Sequence, residues 1–157
     1  MNLFLLNVLL AVGFMIVLES FTIPSLLIGF AVGYCALWLT RPLYADRRYF
    51  GRVCGIVRLS VFFAHALIVS NLRVLWDVVT PSHISRPGII RLPLDARTDL
   101  EIMLVANLIS LTPGTLSIDI SNDRKYLYVH VMFLEDADAA RRELKNGLEK
   151  RVLEVLR

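Results

Sequence analysis

A chain of 157 residues with 56% hydrophobic and 20% charged side chains and a net charge of +3, at a mean hydropathy of +0.61, is too apolar for a purely soluble domain and for a disordered one. Residues 1–40 hold a single charged side chain, Glu19; residues 41–80 hold six Arg against two Asp; residues 81–157 hold eleven bases and eleven acids. An apolar start, a basic collar and a balanced tail describe a membrane anchor with a small extramembrane domain. Nucleic-acid binding is disfavoured, because it needs bases gathered on one element with interleaved aromatics.

Leu3 to Leu18 is apolar except for Asn7, and Thr22 to Thr40 is apolar or small throughout. Each is a candidate transmembrane helix close to the minimum length. The short link Glu19-Ser20-Phe21 and Pro24 in the first turn of the second helix predict a tight antiparallel hairpin. No base precedes the first apolar run and no small-residue cleavage pattern follows it, so this segment is expected to be retained. Gly29 and Gly33 form a small-xxx-small stripe for close helix packing. Glu19 is expected at a helix end in reach of water, where a carboxylate is cheap; its alternative role is to border a proton path.

The collar Arg41 to Arg52 holds four Arg against Asp46, and the positive-inside rule places it in the cytoplasm. Val53 to Val79 is apolar, but on a helical wheel Arg52, Arg58, His65, Arg73 and Asp77 gather on one side, opposite a broad apolar surface. An interfacial amphipathic helix keeps those groups wet at less cost than a third membrane crossing, which stays open as the alternative. His65 is then a polar-face histidine, or a second candidate for a proton path. Cys35 and Cys54 fit neither a disulfide framework nor a metal site and read as small apolar filler.

Pro81 to Pro87 is a turn-rich link. Beyond it, Gly88 to Leu94 predicts a strand, and Thr98-Asp99-Leu100-Glu101 a capping box opening a helix with Leu100, Met103, Leu104, Leu108 and Leu111 as its apolar stripe. Thr112-Pro113-Gly114 stops that helix. Leu116 to Ser121 and Lys125 to Phe133 alternate as strands, with Asn122-Asp123 between them as a two-residue turn. Ala137 to the end predicts a helix with Leu144, Leu148, Val152 and Val155 inward, capped by Asp136 or Asp138. The fold expected is membrane α+β: an N-terminal transmembrane hairpin and amphipathic helix over residues 1–80, and a small cytoplasmic βαββα domain over 81–157. No nucleophile–base pair, phosphate loop or metal-ligand cluster stands out, so no catalytic site and no cofactor are expected. His130 falls on the strand face opposite the apolar residues and reads as a surface or subunit-contact histidine.

The block Ala106-Asn107-Leu108-Ile109-Ser110-Leu111-Thr112-Pro113-Gly114-Thr115-Leu116-Ser117-Ile118-Asp119-Ile120-Ser121 resembles the signature of the E subunit of the Mrp (Mnh) multisubunit sodium/proton antiporter family. Val69-Ser70-Asn71, Pro87-Gly88-Ile89-Ile90, Arg97-Thr98-Asp99 and Tyr128-Val129-His130 extend the resemblance. It implies a small subunit of a complex in the bacterial cytoplasmic membrane that exchanges monovalent cations for protons, the ion channels belonging to larger subunits. Asn71, Asn107, Leu111, Thr112, Pro113, Gly114, Thr115 and His130 carry that signature. Read as structure, Asn107 is expected on the apolar side of its helix, and the hydroxyls of Thr112 and Thr115 are expected to satisfy freed backbone groups around the Pro-Gly turn. The partners implied are the other antiporter subunits and membrane lipid. The reading from another class is a free-standing membrane-anchored regulatory or ligand-binding module.

Overall fold

A computed structural model describes residues 2–44, 48–81 and 84–157. Asp46 and Arg47 of the collar, and Ser82 and His83 of the link, lie outside the described residues. By its contacts the chain divides into two compact units, Met1–Val53 and Cys54–Arg157.

In the first unit, α1 (Leu3–Val17) begins where Asn2 Oδ1 accepts the Phe4 N–H, and α2 (Ile23–Leu39) where Thr22 Oγ1 accepts the Ser25 N–H with Pro24 in the first turn. Glu19 ends α1 in the left-handed region at φ 50, exposed, its N–H donated to Ile16 O. The two helices pack through the stripe that Gly29 and Gly33 leave bare. A Cβ on Gly29 would lie 2.9 Å from Ala11 O, and one on Gly33 would collide with Asn7 Oδ1. Asn7 is buried there and its Nδ2 donates to Tyr49 Oη at 2.6 Å. Tyr49 also packs against the rings of Tyr34 and Phe50.

With 15 and 17 residues, α1 and α2 span roughly 22 and 26 Å. The helix α3 (Arg48–Val79) has 32 residues and is the described helix long and apolar enough to cross a membrane.

The second unit is built on a three-stranded antiparallel sheet of order β1-β3-β2, with β1 at Gly88–Pro93, β2 at Thr115–Ile120 and β3 at Tyr126–Val131. Because β3 runs antiparallel to both neighbours, β1 and β2 are parallel, and α4 (Asp99–Leu111) connects them across the strand inserted between. One sheet face buries Ile90, Leu92, Leu127, Val129 and Val131 under Val105 and Ile109 of α4 and under Leu148 and Val152 of the C-terminal helix. Leu59, Phe62 and Phe63 of α3 join the same core. The second unit thus begins at Cys54, within α3, whereas the sequence reading divides the chain at residue 80.

The strands fall within a residue or two of expectation, but three details differ. The buried stripe of α4 is Ile102, Val105 and Ile109, while Leu100, Met103 and Leu111 are exposed. This helix is apolar on nearly every side, so periodicity alone could not phase it. The β2–β3 connection is the five residues 121–125, not a two-residue turn: Ser121 N donates to Tyr126 O, Arg124 N to Ser121 O, and Arg124 takes the left-handed conformation at φ 57. The C-terminal helix begins under an Asp136 cap as α5 (Ala137–Leu144), loosens into a π-turn at Lys145–Glu149, and resumes as α6 (Lys150–Leu156).

Candidate functional site

At the end of α4, Thr112 O accepts the Thr115 N–H across Pro113 and Gly114, the latter at φ +85. Proline at the second position and a left-handed glycine at the third are the requirements of a type II turn. Thr112 Oγ1 donates to Leu108 O at 2.9 Å, and Thr115 Oγ1 to Ile109 O at 2.6 Å and Thr112 O at 3.0 Å. Carbonyls that the helix end would leave bare are thereby occupied. Gly114 O then accepts the Met132 N–H at 2.7 Å, fastening the turn to the end of β3.

Two serines of the signature block, given no role from sequence, complete the corner. A bulge at Ser117/Asp119 breaks the β2–β3 ladder. Ser117 N donates instead to Ser110 Oγ at 3.0 Å, and Ser117 Oγ to Ala106 O at 2.9 Å. The signal for them was the spacing Ser110…Ser117, one on each side of a turn that folds helix onto strand.

Beside this corner lies a cleft of about 490 Å³. Phe62, His65, Ala66, Ser70 and Arg73 of α3 form one wall and Thr112–Thr115 another. Val131, Phe133, Glu143, Leu144, Gly147 and Arg151 complete the lining. The π-turn brings Gly147 against Phe62, where an added Cβ would sit 3.2 Å from the ring. Arg151 Nη1 donates to the Asn146 and Gly147 carbonyls while its guanidinium lies 3.8 Å from the Phe62 ring centre. Arg73 stacks on Phe133 at 5.8 Å.

The structure therefore gathers His65, Thr112, Pro113, Gly114 and Thr115 around one cleft and leaves the other candidates elsewhere. Asn107 is exposed, a correction to its expected place on the apolar side: with Ile102, Val105 and Ile109 inward, its position turns outward. Leu111 is exposed too. Asn71 is exposed on α3 and donates to Leu67 O of its own helix. His130 is half-buried on the open sheet face, opposite Ile89 of β1 and Leu116 of β2, both exposed. Glu19 lies in the other unit, at its turn.

Two buried carboxylates do structural work. Glu101 Oε2 accepts the Arg97 and Thr98 N–H groups, closing the capping box, and Arg157 Nε donates to its Oε1 at 3.0 Å. The Arg157 hydrogen bond, then the two backbone donors, hold its pKa down at about 2 against an ordinary 4.5. Glu149, with 1% of its surface exposed, accepts the Asp95 and Ala96 N–H groups and has Lys145 at 3.6 Å. Among the described residues no group of three or more His, Cys, Asp or Glu could hold a metal ion.

An apolar helical hairpin, a long apolar helix and a small antiparallel sheet packed by helices make this a mixed α+β chain. Residues 7–155 match the model of a family described as Na+/H+ ion antiporter subunit, and the chain belongs to that family. It is 37% identical to the Na(+)/H(+) antiporter E subunit of Alkalihalophilus pseudofirmus, over 96% of both chains. It is 35% identical to that of Bacillus subtilis, over 98% of this chain and 97% of the relative. A chain in the solved Mrp complex from a Dietzia species superposes with a TM-score of 0.52 at 28% identity, covering 65% of this chain and 96% of that one.

Proposed function

We propose that this chain is an accessory subunit of a multisubunit sodium/proton antiporter in the bacterial cytoplasmic membrane, where it supports assembly and thereby pH and sodium homeostasis. The reading rests on the match to antiporter E subunits over nearly the whole length. In it, α1 and α2 cross the membrane and the C-terminal domain is cytoplasmic, as the basic residues Arg41, Arg48 and Arg52 following α2 favour.

The observation that carries the architecture is that the two sides of α3 differ, one partly covered and the other open. Gly55 meets Val155, Leu59, Phe62 and Phe63 enter the core, Arg73 stacks on Phe133, and Asp77 accepts the Ile84 and Ser85 N–H groups. One side of the helix is thus engaged along residues 55–77 by a domain rich in exposed charges. The opposite side shows Val57, Val61, Ile68, Leu72, Leu75 and Val79 to the outside with no charged residue among them. Such a helix supports a place along the membrane surface rather than through it, since a crossing would draw the polar domain into the hydrocarbon.

Ion movement through this chain alone lacks a physical basis, because its apolar helices carry no acid–lysine relay. The test is exchange in proteoliposomes. The chain reconstituted alone should not dissipate a pH gradient on sodium addition, while the full set of subunits should. Exchange by the isolated chain would overturn the accessory role.

A further inference from the structure

We propose that the cleft between α3 and the Thr112–Thr115 turn binds one anionic phospholipid, its phosphate on Arg73 and Arg151 and the start of an acyl chain on the apolar floor. The proposal deepens the membrane-protein reading above and rests on it.

Two arginines, Arg73 and Arg151, line the cleft, and neither is paired with a carboxylate among the described residues. Arg124, Arg141, Arg142 and Arg157 are each paired with a carboxylate. Arg73, among the described residues, makes only its ring contact with Phe133. Arg151 is fixed through Nη1 by two carbonyls of the π-turn and by the Phe62 ring, which leaves its Nε and Nη2 hydrogens without a partner among the described residues. A guanidinium already held in place, as that of Arg151 is, loses little freedom on meeting a phosphate. The π-turn that supplies those carbonyls is a departure from α-helix of the kind that recurs at functional sites.

The floor selects for a tail. Ala66, Val131, Phe133, Ala140, Leu144 and Leu148 line it, and 490 Å³ falls within the range of small-molecule sites. One carboxylate, Glu143, is among the lining residues. It disfavours a small, highly charged ion such as free phosphate, which gains nothing from the floor, more than an amphiphile, which does. At the mouth, Val69 continues into Leu72 and Trp76, all exposed, so the cleft opens beside the apolar stripe of α3 that faces the membrane in this reading.

The experiment is native mass spectrometry of the full-length chain extracted in mild detergent from vesicles of mixed phosphatidylglycerol and phosphatidylcholine. One phosphatidylglycerol should be retained in preference to phosphatidylcholine, and millimolar inorganic phosphate should not displace it. The double variant Arg73→Gln/Arg151→Gln should lower retention about tenfold or more, as loss of two charge-assisted contacts implies. Val69→Trp, at an exposed mouth position, should block entry with both arginines intact, so that a folding defect in the double variant cannot imitate the result. Equal retention of the two lipids, displacement by phosphate, or unchanged retention in Val69→Trp would each overturn the proposal. Loss of lipid preference in a chain that still co-purifies with antiporter subunits would refute the cleft alone; release from the membrane on a salt wash would refute the reading beneath it.

Discussion

Gly114 is the residue on which the corner turns. A Cβ there would meet Phe133 at an ordinary 3.5 Å, so space is available; the obstacle is the backbone at φ +85. A β-branched side chain in that conformation costs about 1–2 kcal/mol. Gly114→Val should therefore lower the thermal midpoint of the chain and the amount of assembled complex on native gels, and Gly114→Asn, which tolerates the left-handed region, should do so less. Normal assembly with lost transport would instead place the turn in ion movement. Gly29 is the opposite case, since a Cβ would lie 2.9 Å from Ala11 O in an ordinary helix. Gly29→Val should separate α1 from α2, and cross-linking between engineered cysteines on the two helices would show it. Both glycines were visible in the sequence as a turn signal and a small-residue stripe. Asn107 was misplaced because its neighbours are apolar on every side, and hydrophobic periodicity has no phase in such a helix.

At the scale of the element, α4 is held at its start by Thr98 and Glu101. Thr98→Ala should cost about 1 kcal/mol, the usual worth of an N-cap, read as a lower urea midpoint. Glu101 adds a pH dependence. Its pKa is about 2 in the folded chain, below the ordinary carboxylate value, so folding favours the ionised form. That stability is complete above about pH 5 and is lost as pH falls through 4.5 toward 2. Glu101→Gln should flatten the acid limb of the stability curve, and an unchanged limb would mean the pairing with Arg157 does not hold in solution. The capping box itself was legible as Thr98…Glu101. Arg157, 56 residues further on, was not, because nothing in a sequence announces which distant cation meets a buried carboxylate. The π-turn escaped for a related reason: Lys145–Glu149 keeps a helical pattern, and the approach of Gly147 to Phe62 is a distant contact that no local pattern announces.

For the molecule as a whole, the order of strands and helices after Pro87 followed from alternation, caps and turns, whereas the cleft did not. His65 and Thr112 are far apart in the chain and line one cleft because Leu59, Phe62 and Phe63 pack α3 against the core of the sheet domain. The same packing gives α3 its free apolar side. With Cys35 and Cys54 replaced by serine, Ile68→Cys should react slowly with a soluble maleimide in intact membranes and quickly after detergent. Fast reaction in both would leave that side exposed to water.

The accessory role stands or falls on what this chain keeps company with. The direct measurement is to tag the C-terminus after Arg157, solubilise native membranes in mild detergent, and identify what co-purifies by mass spectrometry. Recovery in fixed ratio with several polytopic antiporter subunits is the expected result. Recovery alone, as a stable monomer or small homo-oligomer, would contradict that role and make the chain a free-standing membrane-anchored module.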